Sequence, residues 1–179
     1  MKPIINLDYI VAAILPVQAT LSRLIISATN INDGFDIPPL EIRGTFQGIV
    51  DFPALEQFEA LLPFLMGTFS SFGTSPLVRV VPKNIRSLTI NDDLYMQDES
   101  IYVDGDKQDV GLLSALREWF KDWKSFTPHF RELCLRLYSF SGGDDPDGLW
   151  ELKTRDQLRD VCAVAGIQVR IIRCDEFSF

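Results

Sequence analysis

The chain has 179 residues, and 17 lysines and arginines against 25 aspartates and glutamates give a formal net charge of −8. This length predicts a single domain over residues 1–179, and the acidic balance argues against general nucleic-acid binding, which needs a basic face. Three cysteines without a CxxC pair and one histidine, His129, leave no basis for a disulfide framework or a metal or cofactor site.

The N-terminal sequence resembles a signal peptide only superficially. Lys2 precedes a short apolar run from Tyr9 to Leu15, but no cleavage site follows cleanly. The spacing of the apolar residues favours a helix over residues 7–19. No stretch reaches the ~18 apolar residues that span a bilayer. We therefore expect reduced thiols, a cytoplasmic or nuclear location and no membrane partner.

One short pattern recurs five times, with apolar residues at its first, fourth and sixth positions. Its central apolar residues lie at steps of 34, 30, 45 and 36 residues and are Leu24, Phe58, Leu88, Leu133 and Val169. The alternation around each one predicts a β-strand with one buried and one exposed face. Because the connections between them are long, the strands are expected to be neighbours in a parallel sheet.

The connections carry helical patterns. An apolar stripe over residues 112–123 predicts one helix, which Pro128 ends. The last helix is expected to open with a capping box at Thr154 and to end in a left-handed cap at Gly166. The apolar segment 61–67, which Pro63 interrupts, is predicted to be a buried irregular crossover. These elements predict an α/β fold, either a short solenoid with helices outside or a compact layered fold.

Four segments, 52–67, 81–94, 127–137 and 155–167, resemble the divergent leucine-rich repeats of fungal F-box proteins. The similarity covers residues 7–173 and rests on apolar spacing and short phrases. It implies an irregular leucine-rich-repeat-like solenoid, with a parallel sheet on its inner face and helices outside. It also implies a role like that of the substrate-receiving part of a ubiquitin ligase receptor.

The sequence departs from that family in two ways. No F-box segment is found, so the ligase role is not carried over, and the chain is expected to begin inside the first repeat, as a C-terminal fragment, a truncated product or a stand-alone domain. The positions that usually hold Asn or Cys are Thr29, Pro63, Asp93 and Tyr138. The curvature of the sheet is therefore expected to be irregular.

Most candidate chemistry has a simpler structural explanation. The acidic stretch from Asp92 to Asp109 lacks the EF-hand order and is predicted to be a solvated loop, as is the segment 141–148. Cys134 is expected to face outward on a strand, too far from His129 to form a nucleophile pair. The aromatic residues of the segment 119–123 have the spacing of a helix core.

The exposed strand positions are the candidate site. They mix arginines, which favour interfaces, with small polar groups on one inner face. The residues expected to bind a protein or peptide partner are Arg23, Arg86, Thr89, Arg131, Glu132, Arg136, Gln168 and Arg170.

Three hypotheses follow from the sequence. The first is a non-enzymatic recognition module that needs no cofactor and binds its partner through the strands. The second is a small α/β hydrolase or transferase with an acidic site at strand carboxyl ends, at residues such as Asp92 and Asp93. The third is a non-functional fragment that self-associates through an uncapped N-terminal edge at residues 21–26.

Overall fold

A computed structural model describes residues 4–27, 41–66, 77–91, 105–139 and 152–175. Its strands are β1 (Ile4–Asn6), β2 (Arg23–Ile25), β3 (Glu41–Arg43), β4 (Gln57–Leu61), β5 (Ser87–Asn91), β6 (Glu132–Ser139) and β7 (Gln168–Asp175). Its α-helices are α1 (Leu7–Ile14), α2 (Leu62–Met66), α3 (Gly105–Phe120), α4 (Trp123–Phe126) and α5 (Leu152–Ala165).

Five strands form one parallel sheet in the order β2-β4-β5-β6-β7, which follows the order of the chain. The central apolar residues of the repeated pattern pair across the whole sheet in a single register, as Leu24, Phe58, Leu88, Leu133 and Val169. The predicted parallel sheet and the phase of its strands are therefore confirmed.

One face of this sheet is buried against helices. Leu88 and Leu133 are fully buried, and α3 and α5 contribute Leu116 and Leu158 to the same core. Alternate residues along each strand reach this core because successive side chains of a strand point to opposite faces. The intervening residues lie on the opposite face of the sheet.

β1 and β3 form a separate two-stranded parallel sheet, which was not predicted. The side chain of Asn6 caps α1 by accepting the amides of Asp8 at 3.0 Å and Tyr9 at 3.3 Å. The carboxylate of Asp8 in turn accepts the amide of Thr45 at 3.2 Å. Gly44 lies at φ 74°, where a Cβ would stand 2.4 Å from an Asp8 oxygen, so glycine is required there.

Two predicted helices end or break earlier than the sequence indicated. The predicted helix over 7–19 ends as an α-helix at Ile14 and continues as a 3₁₀ turn over Leu15–Val17, because Pro16 has no amide to donate. The predicted helix over 112–123 is two helices, α3 and α4, separated at residues 121 and 122. The helical segment still ends before Pro128, as expected.

The segment 61–67 is not an irregular crossover as far as the structure describes it. Leu61 ends β4, and α2 follows with all five of its residues buried. Pro63 lies in the first turn of α2, where the missing amide has no intrahelical partner to lose.

The predictions for α5 were right at one end only. The helix already includes Leu152, so Thr154 lies within its first turn and is not the N-cap. Gly166 has φ 73° as expected, and the amides of Gly166 and Ile167 donate to the carbonyls of Ala163 and Cys162. This pair of bonds is a Schellman motif, in which a left-handed residue satisfies the last carbonyls of the helix.

The acidic stretch predicted as a loop through Asp109 is helical from Gly105, where α3 begins. Residues 92–104 and the second predicted loop, 141–148, lie outside the described residues.

Candidate functional site

The side of the five-stranded sheet that faces away from the core is the candidate site, and we call it the strand face. Its side chains alternate with the core residues of all five strands. They include Arg23, Ile25, Gln57, Glu59, Ser87, Thr89, Asn91, Glu132, Cys134, Arg136, Gln168, Arg170 and Ile172.

The strand face contains a shallow depression of about 200 Å³. Its lining is mostly polar and comes from all five strands, including Arg23 on β2, Thr89 on β5 and Arg170 on β7. Pockets for small-molecule ligands usually have volumes of about 300–1,000 Å³ and are mainly apolar. This depression suits part of a polypeptide better than a whole small molecule.

Glu59 is the most buried charge of the strand face, with 8 % of the residue exposed. Its carboxylate accepts a hydrogen bond from the Arg136 guanidinium at 2.7 Å and another from the Asn91 amide at 3.1 Å. The register places Asn91 directly opposite Arg136, so both reach Glu59 from adjacent strands. A charge this buried needs such partners, because its desolvation is otherwise uncompensated.

A second ion pair lies towards the other edge of the strand face. The Arg170 guanidinium pairs with the Glu132 carboxylate, and the hydroxyl of Ser87 lies 3.5 Å from the same carboxyl group. More than half of the Arg170 side chain remains exposed. The pair therefore orients Arg170 without removing it from solvent.

Cys134 is less exposed than the sequence indicated. It lies on the strand face as predicted, but only 2 % of it is exposed. Burial raises the pKa of its thiol, an effect that Arg170 and Arg136 oppose and that Glu132 and Glu59 reinforce. The thiol is thus protonated at neutral pH, and no hydrogen bond joins it to His129, which lies in the exposed turn before β6.

Five of the eight predicted binding residues line the depression together. They are Arg23, Thr89, Glu132, Arg136 and Arg170. Gln168 lies on the same face, exposed and in register with Glu132, but outside the lining.

Arg86 and Arg131 do not line the depression as expected. Each immediately precedes a strand, and the alternation gives the strand face to the following residue, Ser87 or Glu132. The side chain of Arg86 pairs instead with Glu56 at 3.2 Å. Both arginines therefore lie along the edge of the sheet where the strands begin.

Asn91 is the residue of this site that sequence reasoning missed. It is 3 % exposed, and its carbonyl oxygen has no hydrogen-bond partner within the described part of the chain. The sequence did contain a signal for it, since Asn91 is a polar residue that continues the alternation of Ser87 and Thr89. The repeated apolar pattern ends one position earlier, at Ile90.

Among the residues that the structure describes, no three His, Cys, Asp or Glu side chains come together as a metal site. None of the described helices has the length and apolar character needed to cross a bilayer. Asp92 and Asp93, the residues of the enzyme hypothesis, lie outside the described ranges.

Comparisons with protein-family models, with curated proteins and with solved structures find no match.

Proposed function

We propose that this chain is a non-enzymatic recognition module that binds a partner protein or peptide on the strand face. The observation that carries the proposal is the contrast between the two faces of one sheet. On one face, Leu88 and Leu133 are buried in the core with residues of the helices. On the other face of the same sheet, Arg23, Gln57 and Arg170 are exposed. No described helix contributes to the lining of the depression there.

The proposed architecture is a short leucine-rich-repeat-like solenoid, similar to the substrate-receiving region of fungal F-box proteins. The strands follow one another across the sheet in chain order, with one repeated phase. In a solenoid, neighbouring repeats stack to bury a continuous core and leave an extended surface for a partner. The strand face is the surface that this architecture assigns to recognition.

The test is selection of a random peptide library on the immobilised chain. Binding clones are expected, and Thr89→Trp should weaken their binding about tenfold or more, because an indole would fill the centre of the depression. Val164→Trp is the matched control, since Val164 is 92 % exposed on α5. It should leave binding unchanged.

Gln57→Trp on β4 provides a second block of the depression if Thr89→Trp fails to fold, with thermal unfolding as the check. Failure to select any clone would contradict the proposal. Clones that bind both strand-face variants as well as the parent would also contradict it, because their site would lie elsewhere.

A further inference from the structure

The described residues of the strand face carry a net positive charge, although the chain as a whole is acidic. The strand face holds three arginines and two glutamates, against a net charge of −8 for the whole sequence. Both glutamates are already engaged, Glu59 by Arg136 and Glu132 by Arg170. Arg23 has no acidic partner among the described residues, and its side chain lines the depression. The positive charge that remains for a ligand is therefore centred on Arg23.

The paired arginines also retain capacity for a ligand. A guanidinium has five N–H donors in a planar fork. The side chains of Arg136 and Arg170 are 38 % and 55 % exposed in spite of their ion pairs. Their remaining donors can bind a carboxylate of a partner, and Ser87 and Thr89 lie between them and Arg23 as further polar contacts.

The sheet fixes the spacing between these cations. Arg23 is on β2 and Arg170 is on β7, four strand spacings away and two residues further along the register. Strand spacings of about 4.8 Å and a rise of about 3.3 Å per residue place their Cα atoms roughly 20 Å apart. An extended peptide crossing the strands spans that distance in about six residues.

From this geometry we propose that the strand face binds an extended acidic peptide lying across the strands, with one carboxylate on Arg23 and another, about six residues away, on Arg170. The inference rests on the proposed recognition function and names the chemistry of the partner. Carboxylate–guanidinium pairs supply orientation as well as attraction. Nucleic acid is the less suitable polyanion, because the net charge of the chain repels a continuous phosphate backbone.

The test uses fluorescence anisotropy with a labelled Gly/Ser peptide that carries two glutamates six positions apart. The controls are the same peptide with two glutamines and a labelled single-stranded oligonucleotide. The glutamate peptide is expected to bind about tenfold more tightly than the glutamine peptide. Its affinity should fall as salt is added, because exposed charges are screened.

Arg23→Ala should lower the affinity for the glutamate peptide about tenfold. Arg159→Ala is the charge-matched control, since Arg159 is exposed on α5 and pairs with Asp156. It should leave the affinity unchanged. Moving the two glutamates to adjacent positions should also weaken binding, because one carboxylate can then no longer reach the second arginine.

The inference is overturned if the glutamate and glutamine peptides bind equally well or if neither of them binds. It is also overturned if the oligonucleotide binds as tightly as the glutamate peptide or more tightly. Self-association that Arg23→Ala abolishes, without peptide binding, would assign the face to a second copy and also overturn it. The library selection separates the two levels. If the selected peptides are not acidic and their binding is weakened by Thr89→Trp, the recognition function stands and the acidic partner is rejected.

Discussion

The Glu59 carboxylate shows how one buried charge ties three strands together. It lies on β4 and takes donors from Asn91 on β5 and Arg136 on β6. Arg136→Ala is expected to cost about 2 kcal/mol of the free energy of unfolding, because Glu59 loses its charged partner while it stays buried. Urea denaturation measures the change.

The control for that prediction is Arg86→Ala. It removes an arginine from the exposed pair with Glu56, whose side chains are about half exposed. Exposed pairs of this kind are worth at most about 1 kcal/mol. If both variants lose the same stability, Glu59 is not compensated by Arg136 in the way that the structure indicates.

A second prediction at the residue scale concerns alkaline pH. Burial raises the pKa of the Cys162 thiol from 9.0 to about 11, and the residue is fully buried in the core. The folded state therefore holds this proton more tightly than the unfolded state. Its contribution is fully present below pH 9 and is lost as the pH rises towards 11, on the order of 2–3 kcal/mol.

The comparison that isolates this effect is Cys162→Ala, measured by urea denaturation at pH 8 and pH 10.5. Tyrosines and lysines titrate over the same range in both proteins, so the difference between their pH slopes reports the thiol. The variant should lose less stability between the two pH values than the parent. Parallel pH profiles would contradict the assignment.

At the scale of the element, the strand phase is open to a direct test on β5. Leu88 is fully buried and the adjacent Thr89 is partly exposed on the strand face. Leu88→Asn should cost about 3 kcal/mol or more, because it leaves a cavity and buries an amide without partners. Thr89→Asn should cost less than about 1 kcal/mol.

Asparagine is a better probe than aspartate at these positions, because Glu59 lies directly opposite Thr89 in the register. An aspartate at position 89 would be repelled by that carboxylate, which would hide the difference between the two faces. Thermal and urea unfolding give the two costs. Equal losses for Leu88→Asn and Thr89→Asn would show that the phase is wrong.

The helices show where local sequence signals were sufficient and where they were not. Gly166 ends α5 because a left-handed residue is needed there and glycine adopts it freely. Thr154 was misread as the start of α5 because the Ser/Thr-x-x-Gln spacing also fits inside a first turn. Pro63 was misread as a helix breaker because proline at the start of a helix is neutral.

For the whole molecule, local stability is expected to be highest in the middle of the five-stranded sheet and lowest in the two-stranded sheet. β5 has a strand on each side and a fully buried inner face, whereas β1 and β3 are three residues long and pair only with each other among the described strands. Native-state hydrogen exchange should find the slowest amides in β5 and β6 and much faster exchange in β1 and β3. Uniform protection would contradict this gradient.

The sequence by itself determined the sheet. Apolar alternation at five places was enough for the five strands and their faces, because a side chain on the wrong face would place a charge in the core. Five residues of the candidate site followed from that phase alone.

Only the tertiary structure decided which strand-face groups touch. The burial of Cys134 and the pairing of Glu59 with Asn91 and Arg136 depend on distances between residues far apart in the chain. The same holds for the bond between Asp8 and the amide of Thr45. Periodicity fixes the side of a strand on which a residue lies, but its neighbours across the sheet are set by packing of the whole chain.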